Sequence, residues 1–196
     1  VMYINKTKYS FEGKELIPDN FFLIPELILK NDKKLKASSG IDAIAQALES
    51  MISNKSNLKS IQFASNALEI CLDNYINYLN KPNKLNSSNM LFGAMMAGKA
   101  INISKTTAPH AISYPFTSLF DISHGHAVSL TLEKFLKFNF YNQNKAICDF
   151  NLNERYKKIF KFFKVKDIQE LEFRIKKIKK LANLEDNFKK LKINIK

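Results

Sequence analysis

Glycine is scarce in this chain: five in 196 residues, with no two spaced as GxG. Loops that cradle phosphates need several residues without Cβ, so that backbone N–H groups can approach the oxygens. A glycine-built dinucleotide or nucleotide loop is therefore excluded, and most of any nucleotide site must lie outside this sequence. Cysteine is reduced to Cys71 and Cys148, with no CxxC and no third partner. That excludes a disulfide scaffold and a cysteine-based zinc site; Cys71, in an apolar helical run, reads as a buried thiol. No stretch of eighteen apolar residues exists, so no membrane span is expected. The first residues, VMYINKTKYS, lack the charged-then-apolar order of a signal peptide, and the sequon NKS at 54–56 stands alone. The expected location is cytoplasmic.

A hydrophobic fraction of 45% with sixteen phenylalanines excludes disorder. The length suffices for a real core. The net charge of +13 raises nucleic-acid binding, but its distribution argues otherwise: residues 154–196 carry fifteen Lys and Arg against six Asp and Glu. There the lysines alternate with Ile, Leu and Phe at helical spacing, as on solvated faces of amphipathic helices. Lysine far outnumbers arginine, the residue favoured for base readout and bidentate phosphate contacts. No specific nucleic-acid partner is expected.

Residues 1–30 differ from the rest. Alternating and aromatic stretches, a Gly-centred turn in FEGK and two prolines predict a short strand or hairpin followed by a linker. An isolated hairpin is marginal, so this segment reads as the tail of a larger unit, with a helical domain over 31–196. Helices are expected from Ser38/Ser39 to about Ser53, over about 57–80, from Ser87/Ser88 to about Ser104, and from His124 to about Phe138. Gly93 and Gly98 suggest close helix–helix approach. The stretch 105–123, with Pro109 and Pro115, reads as irregular. Asp167 and Glu170 predict a capping box for 168–181. The expected fold class is all-α, a bundle of about six to eight helices with a short extended segment at its start.

All three histidines, His110, His124 and His126, fall within seventeen residues. Upstream, SGIDAIAQALES places Asp42 and Gln46 four apart, on one helix face. Singly, each has an ordinary reading: Asp42 near a helix start, Gln46 on a helix surface, His124 in a capped turn, His126 in the core. Together they supply carboxylate, amide and imidazole, the composition of a metal site.

The segments SGIDAIAQALES and AGKAINISKTTAPHAISYPFTSLFDISHGHAVSL resemble the iron-containing (group III) alcohol dehydrogenase family. The likeness runs from about Lys8 to Asn139 and takes in KYSFEGKELIPD and IPEL. It implies a dehydroquinate synthase-like helical C-terminal domain that holds a catalytic divalent metal, Fe²⁺ or Zn²⁺, beside a Rossmann-like nucleotide domain. By position, the implied metal ligands are Asp42, Gln46, His110 and His124. The family usually has His where this chain has Gln46, so Gln46 is either a fourth ligand or only a hydrogen-bond partner for water. Lys8 and Leu27 match positions that contact NAD(P)H, which would be bound mainly by sequence absent from this chain. His126 is implied as a proton relay or as a residue orienting a ligand. The expected activity is metal-dependent reduction of a small aldehyde, or oxidation of the alcohol. A homo-oligomer is expected, and the chain alone should be inactive. Two other readings remain: a dehydroquinate-synthase-like cyclase, and a basic helical binding module with no enzymatic role.

Overall fold

The computed structural model describes residues 2–5, 7–9, 11 and 13–193. A small antiparallel hairpin comes first, β1 (Met2–Ile4) and β2 (Thr7–Tyr9), with Tyr3 opposite Lys8. Its turn is at Asn5, φ 49°, rather than at FEGK, which follows the second strand. The rest is helical: α1 (Pro25–Leu29), α2 (Lys33–Ile52), α3 (Leu58–Asn80), α4 (Lys84–Ser104), α5 (Ala108–Phe120), α6 (His124–Ser129), α7 (Leu132–Tyr141), α8 (Leu152–Phe163) and α9 (Ile168–Leu181).

Helix α2 is the axis of the bundle, packing against α3, α4, α6 and α8. Its expected apolar stripe extends almost all round, since Ala37, Ile41, Ile44, Ala45, Ala47, Leu48 and Met51 are all buried. A helix apolar on every side belongs in the core. It starts five residues before the expected Ser38, because Asp32 caps it by accepting from the Leu35 N–H at 2.8 Å. Asn57 and Asn83 close reciprocal capping boxes on α3 and α4 with Ser60 and Asn86. The α9 start is a variant of the expected box: Asp167 accepts from Glu170 N–H, but Glu170 accepts from Lys166 N–H, one residue earlier.

Three expectations are corrected. The stretch 105–123 is largely helix α5. Pro109 occupies the first turn, where no N–H is needed, and Pro115 lies on an exposed face. The carbonyl that Pro115 leaves without a donor is that of Ala111, itself exposed. The helix expected from His124 to Phe138 is split at Leu130–Thr131 into α6 and α7. Of the two glycines in α4, only Gly93 marks a close approach: a Cβ there would stand 2.5 Å from Cys71 Sγ, whereas Gly98 faces open space.

The basic C-terminal part is folded onto the bundle. One of its lysines, Lys179, is buried, with its ammonium 3.0 Å from both Glu133 oxygens and 3.2 Å from the Ser129 carbonyl. This pair joins α9 to α7. Beyond α9, Ile193 and Phe188 close a second small core with Phe116, Ile122, Ala127 and Leu130. That core fixes α5 and α6 from outside. Among the described residues, no helix is long and apolar enough to cross a membrane.

Candidate metal centre

Asp42 projects from the middle of α2, His110 from the first turn of α5, and His124 opens α6. One ligand atom from each lies within 4.8 Å of the others. The approach of α6 to α2 depends on Gly125: a Cβ there would stand 2.0 Å from the Ser38 carbonyl oxygen and 2.7 Å from Asp42 Cβ. The next residue, His126, donates its N–H to Ser38 Oγ at 3.2 Å. The HGH sequence thus docks His124 beside Asp42 through a residue without a side chain.

Asp42 Oδ1 and His110 Nε2, both buried, face each other at 3.2 Å and form an ion pair when the ring is protonated, but neither has hydrogen-bond geometry to any described group. Buried polar atoms are nearly always satisfied, and leaving one unmatched costs about 1–3 kcal/mol. Two such atoms side by side, with His124 within reach, fit a shared cation. The other edges of the same groups are occupied. Gln46 Nε2 donates to Asp42 Oδ2 at 2.9 Å. Glu49, fully buried, binds His110 Nδ1. Its Oε1 accepts the Thr107 N–H and hydroxyl, both at 2.8 Å. A carboxylate behind a ligating imidazole fixes its tautomer and raises its basicity.

Burial works against charge on the His110 ring, but the Asp42 and Glu49 carboxylates outweigh it and push its pKa up to about 9. The pocket therefore favours positive charge at this point. Tyr114 stacks on His124 with centroids 6.0 Å apart and planes 7° from parallel. Ser113 donates to the His110 carbonyl at 2.7 Å and lies 3.4 Å from His124 Nδ1. One carboxylate and two imidazoles form a three-ligand set suited to Zn²⁺ or Fe²⁺, with remaining positions for substrate.

The set lies in a cleft of about 970 Å³. Its walls come from α4 (Gly98, Ile101, Asn102), the two connections that carry Lys55 and Lys105, and the early segment with Phe11, Leu16 and Ile17. Gln46 is in the cleft too, so the structure brings together all four residues expected around the metal. It does not bring His126 there. Residues two apart on a helix point about 200° apart. The His126 ring is accordingly buried on another side, with Nε2 2.6 Å from the Glu185 carbonyl oxygen. Burial holds its pKa below the ordinary value. This placement gives no support to a proton relay and makes His126 an anchor of α6. Leu27 is exposed on α1 and does not line the cleft. The side chain of Lys8 lies outside the described residues.

Glu49 was not anticipated. It lies seven residues beyond Asp42 in the same quoted segment, on the same helix face, so its spacing was the available signal. Tyr114, Lys55 and Lys105 had no comparable mark.

The model of the Fe-containing alcohol dehydrogenase family, C-terminal part, matches residues 36–194. Phosphonoacetaldehyde reductase of Streptomyces viridochromogenes is 29% identical over 136 residues, 69% of this chain and 34% of that protein. 4-Hydroxybutyrate dehydrogenase of Clostridium kluyveri is 29% identical over 149 residues, 74% of this chain and 40% of that protein. The chain thus spans between a third and two fifths of the length of these relatives. Among solved structures, sulfoacetaldehyde reductase from Bifidobacterium kashiwanohense in complex with NAD⁺ superposes with a TM-score of 0.73 at 26% identity, covering 87% of this chain and 43% of that one. A maleylacetate reductase from Rhizobium shares the fold at a TM-score of 0.82 and 14% identity, covering 97% and 51%. The chain belongs to the iron-containing alcohol dehydrogenase family, of which it forms the helical C-terminal domain.

Proposed function

We propose that this domain supplies the catalytic metal and the substrate cleft of an NAD(P)-dependent alcohol dehydrogenase or aldehyde reductase. The carrying observation is the convergence of Asp42, His110 and His124, with ligand atoms within 4.8 Å of one another and Asp42 Oδ1 and His110 Nε2 buried without a hydrogen bond. When bound, a divalent ion there supplies Lewis acidity toward a carbonyl or alcohol oxygen. Asp42, His110 and His124 hold it. Gln46 is the hydrogen-bond partner that engages Asp42 Oδ2 and leaves Oδ1 to face the site. Glu49 keeps His110 presenting Nε2.

Leu16, Ile17 and Ile101 give the cleft apolar wall groups. The hydride donor is a nicotinamide, bound mainly by residues other than these. Lys8 and Leu27, both near the start of the chain, are assigned to its contact. The oxygen and nitrogen ligands accept Fe²⁺ and Zn²⁺ alike.

The test is titration of the chain with Zn²⁺ and with Fe²⁺ under anaerobic conditions. One equivalent is expected to bind, and Asp42→Ala, His110→Ala and His124→Ala should each weaken it by at least about 100-fold, the upper range for outer-shell losses. Joined to a dinucleotide-binding domain, the loaded protein should reduce a short aldehyde with NADH or NADPH. Uptake that is indifferent to all three substitutions would sink the reading.

A further inference from the structure

Helix α6 carries His124 as its first residue, yet it has six residues in all, too few to hold a direction by itself. Its start has no side-chain cap: the Ser123 hydroxyl is buried and makes no hydrogen bond among the described residues. On the inner side α6 lies against α2 through Gly125. Its outer side is held by α9 and by the stretch that follows, residues 184–193.

Three contacts from there fall on α6 within four residues. A carbonyl can only accept, so His126 Nε2 carries a proton and donates it to the Glu185 carbonyl at 2.6 Å. Lys179 Nζ donates to the Ser129 carbonyl at 3.2 Å, one of the last-turn carbonyls that have no donor inside the helix. Between them, Ala127 is buried in the small core closed by Phe188 and Ile193. The Glu185 backbone is itself fixed, because its side chain accepts the Asp186 and Asn187 N–H groups at 3.1 and 3.0 Å.

Lys179 stands where a charge is costly. Its side chain is 1% exposed and is matched at 3.0 Å by Glu133, buried to the same degree, with Asp186 at 3.4 Å. Apolar residues of similar size often serve stability as well as such a pair or better. What they cannot do is donate to the end of α6.

We propose that His126 and Lys179 are positioning residues of the metal centre, which act from outside the cleft by bracing α6 so that His124 keeps its approach to an ion shared with Asp42 and His110. Neither side chain lines the cleft, so neither touches the ion or the substrate. Their role rests on the metal-site reading above.

The test loads the 196-residue chain with Co²⁺, whose visible absorption bands report ligand geometry, and measures Zn²⁺ affinity and the metal-free urea midpoint beside them. His126→Gln keeps a side-chain Nε2 donor for the Glu185 carbonyl and should reproduce the parent's bands and affinity. His126→Leu keeps bulk without the donor. It should alter the bands and weaken Zn²⁺ binding by about tenfold or more, the loss typical of groups behind the ligands. Lys179→Met with Glu133→Leu removes the pair whole, so the urea midpoint should stay at or above the parent's. Its bands and affinity should nevertheless change as in His126→Leu. The control is Tyr156→Phe, which loses a hydroxyl that donates to the Leu136 carbonyl away from the cleft. It should lower the midpoint and leave the bands unchanged.

Parent-like bands and affinity in His126→Leu and in the double variant overturn the positioning role and leave the metal centre standing. So do losses of affinity that only follow the midpoint with unaltered bands, or a His126→Gln no better than His126→Leu. If His126→Leu does not fold, the double variant decides. Failure of the parent to take up Co²⁺ overturns the metal reading itself, and the positioning role with it.

Discussion

Glu49 grips His110 at Nδ1, while Asp42, two turns earlier on α2, faces Nε2 of the same ring. One helix thus supplies both a direct ligand and the residue that orients a second one. The Thr107 N–H and hydroxyl on Glu49 Oε1 complete the satisfaction of that buried carboxylate.

Glu49→Gln should lower affinity for Zn²⁺ by about 10- to 100-fold, the usual cost of losing a carboxylate behind a ligating imidazole. Glu49→Ala should cost more, since it also strands the Thr107 donors. Competition with a chromophoric chelator measures both. Equal affinity in the parent and Glu49→Gln would show that the ring needs no carboxylate behind it.

Gln46→His should raise affinity for Zn²⁺ or Fe²⁺ by about tenfold or more, because imidazole is a better donor to these ions than an amide. Position 46 is one turn from Asp42, so no backbone change is needed. Gln46→Ala should cost less than Asp42→Ala, because Gln46 contacts the Asp42 oxygen turned from His110. Metal titration of the three variants decides this. Unchanged or lower affinity in Gln46→His would mean that the amide has a task imidazole cannot perform.

Gly125→Ala should destabilise the fold by about 1–3 kcal/mol or more, the range for overpacking. Its Cβ would meet backbone at Ser38, which cannot yield as a flexible side chain would. Separating α6 from α2 also moves His124 from Asp42, so metal affinity should fall together with the urea midpoint. A midpoint within error of the parent would remove the close-approach argument.

In the metal-free chain, the His110 pKa stands at about 9 against an ordinary 6.5. A raised folded-state value means the native state holds this proton more tightly. The resulting stabilisation, about 3 kcal/mol at most, is complete below about pH 6.5 and is lost as pH rises through about 9. Thermal unfolding without metal should therefore weaken across that window in the parent and less so in His110→Gln. Zn²⁺ affinity should rise over the same range, because binding releases the proton. A flat apo-protein profile would contradict the pairing of His110 with two carboxylates.

Much of the site was legible because helical spacing and histidine clustering are local signals. Asp42 and Gln46 four apart, and HGH with its glycine, could be read without tertiary knowledge. His126 lies away from the cleft because its proximity to His124 in sequence is opposed by helical rotation, which only the extent of α6 reveals. Helix α5 was hidden by two prolines, one in the first turn and one on an exposed face. Lys55 and Lys105 were illegible for another reason. Nothing in either connection shows that Ser53 and Ser104 meet across fifty residues of chain.

The ligands also bear on how the chain is tied together. Helices α3 and α4, packed as a pair on α2, occupy most of the interval between Asp42 and His110. An ion shared by these residues closes a loop of about seventy residues, a non-covalent cross-link whose worth grows with the logarithm of that length. Its removal would loosen the docking of α5 and α6 and leave the α2–α3–α4 core with its own contacts. A bound metal would thus act as a clasp between α2 and the part of the domain that carries α5 and α6.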